Sequence, residues 1–231
     1  MTEEIAKIIR KAWSTQARLL YATPEVAVWV GLHDPAQQRV LVFNADNPKA
    51  TQQVDALTGT WLLVLHPGTE TVQQWFDQHG YLAFESGNDF AAVAAYGLPR
   101  QPLVNLTVNA VWKDVQIKRL NSLQTVRPGV VIPLAFSMQG SPAGTLKLSF
   151  RLLDPTGQVV ARIDKVPDEQ IRAGLLAPPD VVPGLYTVVA LLYDTKSLIP
   201  IPDRNGQTPT VLTMIRIENV SESMAADDPN D

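Results

Sequence analysis

The 231-residue sequence contains no cysteine. That absence removes disulfide frameworks, thiolate metal sites and cysteine nucleophiles together, while leaving the redox compartment open. Charge is also scarce: 18% of residues are charged and the formal net charge is -4. The chain therefore lacks the basic footprint with which proteins meet nucleic acid. Apolar runs such as 62–65 and 188–192 fall far short of the roughly 20 residues that carry a helix across a bilayer. The first residues, MTEEIAKIIR, begin with acids and lack the apolar stretch and cleavage site of a signal peptide. These features predict a soluble chain, or the soluble part of a larger one: cytoplasmic if free-standing, extracytoplasmic if it belongs to a membrane protein. Histidine occurs only at 33, 66 and 79, and no two stand one helical turn apart as zinc ligands often do.

Apolar residues make up 45% of the chain, enough for packed cores, and the length suits one large domain or two small ones. Five prolines lie in residues 1–100 and thirteen in 101–231, whereas Trp13, Trp29, Trp61 and Trp75 precede the lone later Trp112. The shift points to two differently built units. In Leu98-Pro99-Arg100-Gln101-Pro102 each proline fixes its own φ and moves its predecessor out of the helical region. The sequence therefore reads as a small α/β domain over 1–98, a linker over 99–102, a β-sandwich over 103–219 and an acidic, flexible tail over 220–231.

Within the first unit, Ile5, Ile8, Ile9, Ala12 and Trp13 share one helical face behind Thr2 as N-cap. Thr23-Pro24-Glu25 has the form of a cap with proline at the first helical turn, opening a helix to residue 30. Further helices are predicted at 48–57 and 71–79, the last ended by Gly80. Strands are predicted at 18–22, 39–43, 61–65, 81–85 and 91–96. This alternation predicts a small open Rossmann-like α/β sheet. In the second unit, turn signals recur between runs rich in Val, Leu, Ile and Thr. Arg127-Pro128-Gly129-Val130 and Val182-Pro183-Gly184-Leu185 match type II turns, and Asp154-Pro155-Thr156-Gly157 matches a hairpin loop. Seven or eight strands over roughly 115 residues predict an immunoglobulin-like sandwich. Pro133 assigns its strand, 130–138, to a sheet edge.

Chemistry is thinly signalled. Ser86 lacks the glycine two residues earlier that a nucleophile elbow needs, because position 84 is Phe. No glycine-rich phosphate loop follows a strand. Asp164, Asp168 and Glu169, or Asp194 and Asp203, are oxygen-rich but lack the alternating aspartates of a calcium loop. No metal, cofactor or catalytic residue is predicted. The ligand-binding candidates are Thr23, Asn44 and His66, at the C-terminal ends of the predicted first-unit strands where open sheets hold ligands, and Trp112 as an aromatic platform in the second unit. Tyr186 and Tyr193, seven apart in one strand, fall on opposite faces and cannot share a platform.

Trp61-Leu-Leu-Val-Leu65, the helix carrying Trp75-Phe76, Gly80-Tyr81 and Ala95-Tyr96 resemble the soluble C-terminal region of bacterial membrane glycosyltransferases of the dolichyl-phosphate-mannose protein mannosyltransferase-like group. Thr125-Val-Arg-Pro-Gly129, Leu152-Leu-Asp-Pro-Thr-Gly157, Pro183-Gly-Leu-Tyr186 and Leu191-Leu-Tyr-Asp194 are similar to a β-sandwich appended to such enzymes. The resemblance spans most of 40–218. In that family acidic residues in loops of the membrane part transfer sugar from a lipid-linked donor, and no such part is present here. The resemblance thus implies a non-catalytic accessory or recognition module whose partner is a membrane glycosyltransferase or a glycan. Two alternatives stand beside it: a carbohydrate-binding module that uses the sandwich, and an enzyme with its site at the strand ends of the α/β unit.

Overall fold

The computed structural model describes residues 18–21, 40–42, 59–65, 70–87, 92–113, 115–140 and 145–218. Strands β1 (Arg18–Tyr21), β2 (Val40–Val42), β3 (Gly59–Leu65), β4 (Tyr81–Gly87) and β5 (Ala92–Leu98) form a first sheet in the order β2-β1-β3-β5-β4. Helix α1 (Glu70–His79) joins β3 to β4. β1 runs parallel to β2 and β3, but β5 is antiparallel to both β3 and β4.

This arrangement overturns the Rossmann-like α/β expectation. Among the described residues α1 is the only helix and strands dominate. β4 and β5, whose segments the sequence marks as strands closing around the turn at 86–89, form an antiparallel pair. β5 is also antiparallel to β3, so the sheet is mixed and not the parallel sheet of a Rossmann-like unit. The helices predicted over 2–13, 24–30 and 48–57 lie outside the described residues. The local pattern marks the strands but not their order in the sheet: β5 inserts between β3 and β4, a choice set by tertiary packing.

The rest of the chain forms two facing sheets. The inner, four-stranded sheet has the order β12-β9-β7-β6, from β6 (Val104–Trp112), β7 (Val115–Ser122), β9 (Val131–Gln139) and β12 (Gln170–Leu176). The outer sheet has the order β11-β10-β13-β15-β8, with β14 on β13. It comprises β8 (Thr125–Val126), β10 (Leu146–Leu153), β11 (Val159–Lys165), β13 (Gly184–Asp194), β14 (Pro200–Ile201) and β15 (Thr210–Ile217). Ile117, Leu120, Ile132, Leu134 and Phe136 meet Leu148, Phe150, Leu152, Val188 and Ile215 in a continuous core, and the Phe136 and Phe150 rings stack at 4.6 Å. The β-sandwich is thus present. β8 pairs parallel with β15 although β7, just before it in sequence, belongs to the inner sheet.

A third layer covers the sandwich. Even-numbered residues of β9, such as Ile132 and Leu134, enter the sandwich core, while Val131 and Ala135 pack with Tyr81, Ala83 and Leu176 on the other side. The inner sheet is therefore buried on both faces where β4 and β5 cross β12 and β9, which explains the near-continuous apolar run of β9. Small residues make the approach possible. A Cβ at Gly97 would stand 2.7 Å from Val131 Cγ1, and one at Gly174 would stand 2.7 Å from the Tyr81 carbonyl oxygen. On the opposite face of β5, Tyr96 meets Phe76 of α1 with ring centroids 5.2 Å apart.

Two local expectations change. β9 is a central strand between β12 and β7, not an edge; Pro133 is accommodated because the β7 ladder ends at Ser122 opposite Leu134, one residue short of it. Gly129 has φ +78° and Val130 N–H donates to the Arg127 carbonyl at 3.3 Å, as a type II turn requires. Gly184 instead begins β13, so the second Pro-Gly pair leads into a strand. There the Tyr186 hydroxyl donates to the Val182 carbonyl at 2.7 Å. This is the geometry of a tyrosine corner, in which a tyrosine near a strand start bonds to the backbone just upstream.

Candidate functional site

The predicted ligand residues are not brought together. Thr23, Asn44 and His66 lie outside the described residues. Trp112 is 1% exposed and belongs to the sandwich core, so its ring is not offered to a ligand. Its burial follows from β6, where Val108, Ala110 and Trp112 alternate inward. Tyr186 is also buried, and Tyr193 lies half-buried on the opposite face beside Asp164. Asp194 and Asp203 do not form an open oxygen cluster. Asp194 accepts from the backbone of Lys196 and Ser197 and from the Thr145 hydroxyl. Asp203 accepts from the backbone of Asn205 and Gln207 and from the Thr210 hydroxyl. These bonds occupy the carboxylate lone pairs.

Two loops of the sandwich share one turn pattern. Asp154-Pro-Thr-Gly157-Gln158 and Asp203-Arg-Asn-Gly206-Gln207 share the spacing Asp-x-x-Gly-Gln and build the same turn. In each, one aspartate oxygen accepts two backbone N–H groups, at 2.9 and 2.8 Å, two and four residues on. In each, a glycine with positive φ donates its N–H back to the aspartate carbonyl at 2.9 Å. The aspartates serve as turn anchors.

A set of ionisable groups converges on the seam between the first sheet and the sandwich. From the sandwich, Arg172 of β12 donates to the carbonyl oxygens of His79 and Gly80 at 2.5 and 3.2 Å, satisfying the end of α1, and its guanidinium lies 4.3 Å above the Tyr81 ring. The helix dipole favours a cation at that end. On the α1 side of the first sheet, facing away from the sandwich, the Tyr96 hydroxyl donates to Asp77 Oδ1 at 2.6 Å. Burial, then the Asp77 bond and the charges of Asp77 and Glu85, hold the Tyr96 phenol protonated well above the usual tyrosine range. Burial depresses the Lys165 ammonium, while the Asp77 and Glu85 carboxylates pull it back up. His79 Nδ1 lies 2.9 Å from the Trp75 carbonyl, and its ring stacks on Trp75 at 4.5 Å. The seam fixes the two layers against each other through Arg172. Its residues were not predicted as a group, because their elements are far apart in sequence.

The outer face of the outer sheet is different in character. Tyr186, Val188 and Ala190 of β13 point into the core, so Leu185 and Thr187 point out, opposite Arg216 and Met214 of β15, while Val189 on the same face opposite Val211 is only 1% exposed. Leu185, Val211 and Met214 are 49%, 52% and 55% exposed. Arg216 pairs with Glu218 at 3.6 Å, and on the edge strand β11, Arg162 pairs with Asp164 at 2.8 Å. Among the described residues no group of three or more metal-ligating side chains occurs, and no helix is long and apolar enough to cross a membrane.

No family model matches the sequence, and no curated protein matches it. Among solved structures, an endonuclease/exonuclease/phosphatase from Beutenbergia cavernae DSM 12333 is similar at 13% identity and a TM-score of 0.28. The likeness covers 60% of this chain and 34% of that one, and at so low a score it carries no argument about fold or chemistry.

Proposed function

We propose that this chain is a non-catalytic accessory module that recognises a partner within a membrane-bound glycosyl-transfer system, as its resemblance to the soluble region of membrane glycosyltransferases implies. The observation that carries the reading is the row of exposed Leu185, Met214 and Val211 on the outer sheet, with Arg216 at its border. Large apolar side chains grouped on one face of a sheet are a feature of protein interaction surfaces, and an arginine at the rim supplies directional hydrogen bonds. The seam is compatible with this reading, since the first sheet packs on the other face of the sandwich, against Val131 and Ala135 of β9.

The test is co-purification of the full chain with polytopic membrane glycosyltransferases of the dolichyl-phosphate-mannose protein mannosyltransferase-like group. Val211→Glu with Met214→Glu is expected to abolish capture without lowering Tm, because both side chains face solvent. Turnover of an activated or lipid-linked sugar by the isolated chain would overturn the reading. The carbohydrate-module alternative draws no support from Trp112 or Tyr186, whose rings are in the core.

A further inference from the structure

Beyond partner recognition, the structure carries a feature at one end of the sandwich that the proposed function does not use. β13 and β14 are joined by Thr195-Lys-Ser-Leu-Ile199, a turn built around Asp194. The Asp194 Oδ1 accepts the backbone N–H groups of Lys196 and Ser197, each at 2.9 Å, and the Leu198 N–H donates to the Asp194 carbonyl at 2.8 Å. Within this scaffold Leu198 has φ +57°, a conformation that is rare for a bulky side chain and that is retained where the surroundings impose it. The result is that two consecutive large apolar side chains are turned outward: Leu198 is 70% exposed and Ile199 64%. Val166, at the same end on the β11–β12 connection, is 65% exposed. The two segments lie at the same end of the outer sheet with β10 between them, because Leu146 pairs with Asp194 and Leu148 with Lys165.

The charges around the apex are arranged unevenly. Lys196 and Arg204 are exposed, and neither forms an ion pair among the described residues. The nearby carboxylates of Asp194 and Asp203 are turned into their own loops by the bonds described above. Of the other described acids at this end, Asp164 pairs with Arg162, and Asp168 and Glu169 share the β11–β12 connection with Val166, on the far side of β10 from the β13–β14 turn.

We infer that this end of the sandwich is a bilayer-contact site, in which Leu198 and Ile199 enter the boundary between headgroups and acyl chains while Lys196 and Arg204 meet anionic headgroups. A convex apolar apex suits an interface that deforms around it, whereas a protein groove would need a matching concavity. Aliphatic stems of the flanking cations extend the apolar contact while their charges stay among phosphates. The inference is independent of any protein partner.

The test uses the full chain with unilamellar phosphatidylcholine vesicles, with or without roughly one third phosphatidylglycerol, at low salt. The chain is expected to co-sediment with the anionic vesicles. Leu198→Asn with Ile199→Asn is expected to weaken binding at least tenfold at unchanged Tm, since asparagine tolerates positive φ. Because the protein has no cysteine, Leu198→Cys carrying an environment-sensitive dye reports this position alone, and its emission should shift to the blue on vesicles. Failure of the chain to sediment with either vesicle, equal binding by the double variant, or sedimentation without a blue shift would each overturn the inference. Since the vesicles hold no protein, these results leave the glycosyltransferase reading to its own test.

Discussion

The Nε of Arg172 donates to the main-chain carbonyl of Gly80 at 3.2 Å across 92 residues of sequence. One side chain of the sandwich thereby closes the C-terminal end of α1, which isolated helices leave unsatisfied. Gly80 is needed there for room: a Cβ would stand 2.8 Å from the Phe76 carbonyl oxygen and 3.1 Å from the Tyr96 ring. The same junction sets the spacing of the first sheet from β12.

Arg172→Ala should therefore loosen the first sheet more than the sandwich. The guanidinium is partly exposed, so a loss of about 1 kcal/mol is expected in urea unfolding. Limited proteolysis should show faster cleavage before residue 98 than after residue 103. Equal cleavage of both parts would argue against a seam role, and Arg172→Lys should recover only part of the protection because it lacks the planar fork.

Gly97→Ala places a methyl group against Val131, whose Cβ and Cγ1 lie 2.7 Å from it. Val131 is buried between layers, so the layers must separate, at a cost of about 1–3 kcal/mol. Gly157→Ala provides the contrast. No atom lies within 4 Å of its Cβ position, and its cost should come only from the φ of +86°. Thermal unfolding with and without prior removal of the first sheet by protease would separate the two effects.

Tyr186→Phe keeps the ring in the core but leaves the Val182 carbonyl without its 2.7 Å partner. About 1 kcal/mol of stability should be lost. Equilibrium unfolding measures it, and an unchanged midpoint would show that the corner contributes no stability.

Acid should expose the turn around Asp194. Its carboxyl is held at about 2, first by the Ser197 backbone bond and then by the Thr145 hydroxyl and the Lys196 backbone. A folded value below the unfolded one, about 3.9, means that the ionised carboxylate stabilises the fold fully above the unfolded value. That contribution is lost as pH falls through the folded value. The stability difference between the wild type and Asp194→Asn should thus be constant from neutral pH down to about 5 and shrink towards pH 2. A difference that grew on acidification would contradict the assignment.

Much of the local structure was legible. The period of Val72, Trp75 and Phe76 marks α1 and Gly80 marks its end, and Asp154 with Gly157 marks the hairpin between β10 and β11. These signals report backbone dihedrals and short periods, which are properties of a few neighbouring residues. Pro133 misled because its missing N–H matters only where a neighbouring strand runs beside it, and β7 stops one residue short. Trp112 misled because an aromatic ring that suits a sugar suits a core equally well.

What the sequence determined by itself was which segments extend, the turns at Gly129 and Gly157, and that cysteine chemistry is absent. Only the tertiary structure decided which sheet each strand joins, that the first sheet stacks on the sandwich through Val131, Gly97 and Gly174, and which apolar residues remain in water. The reason is range: a turn is settled by interactions over four or five residues, whereas the partner of a sheet face is settled by shape and burial between segments that are distant in sequence.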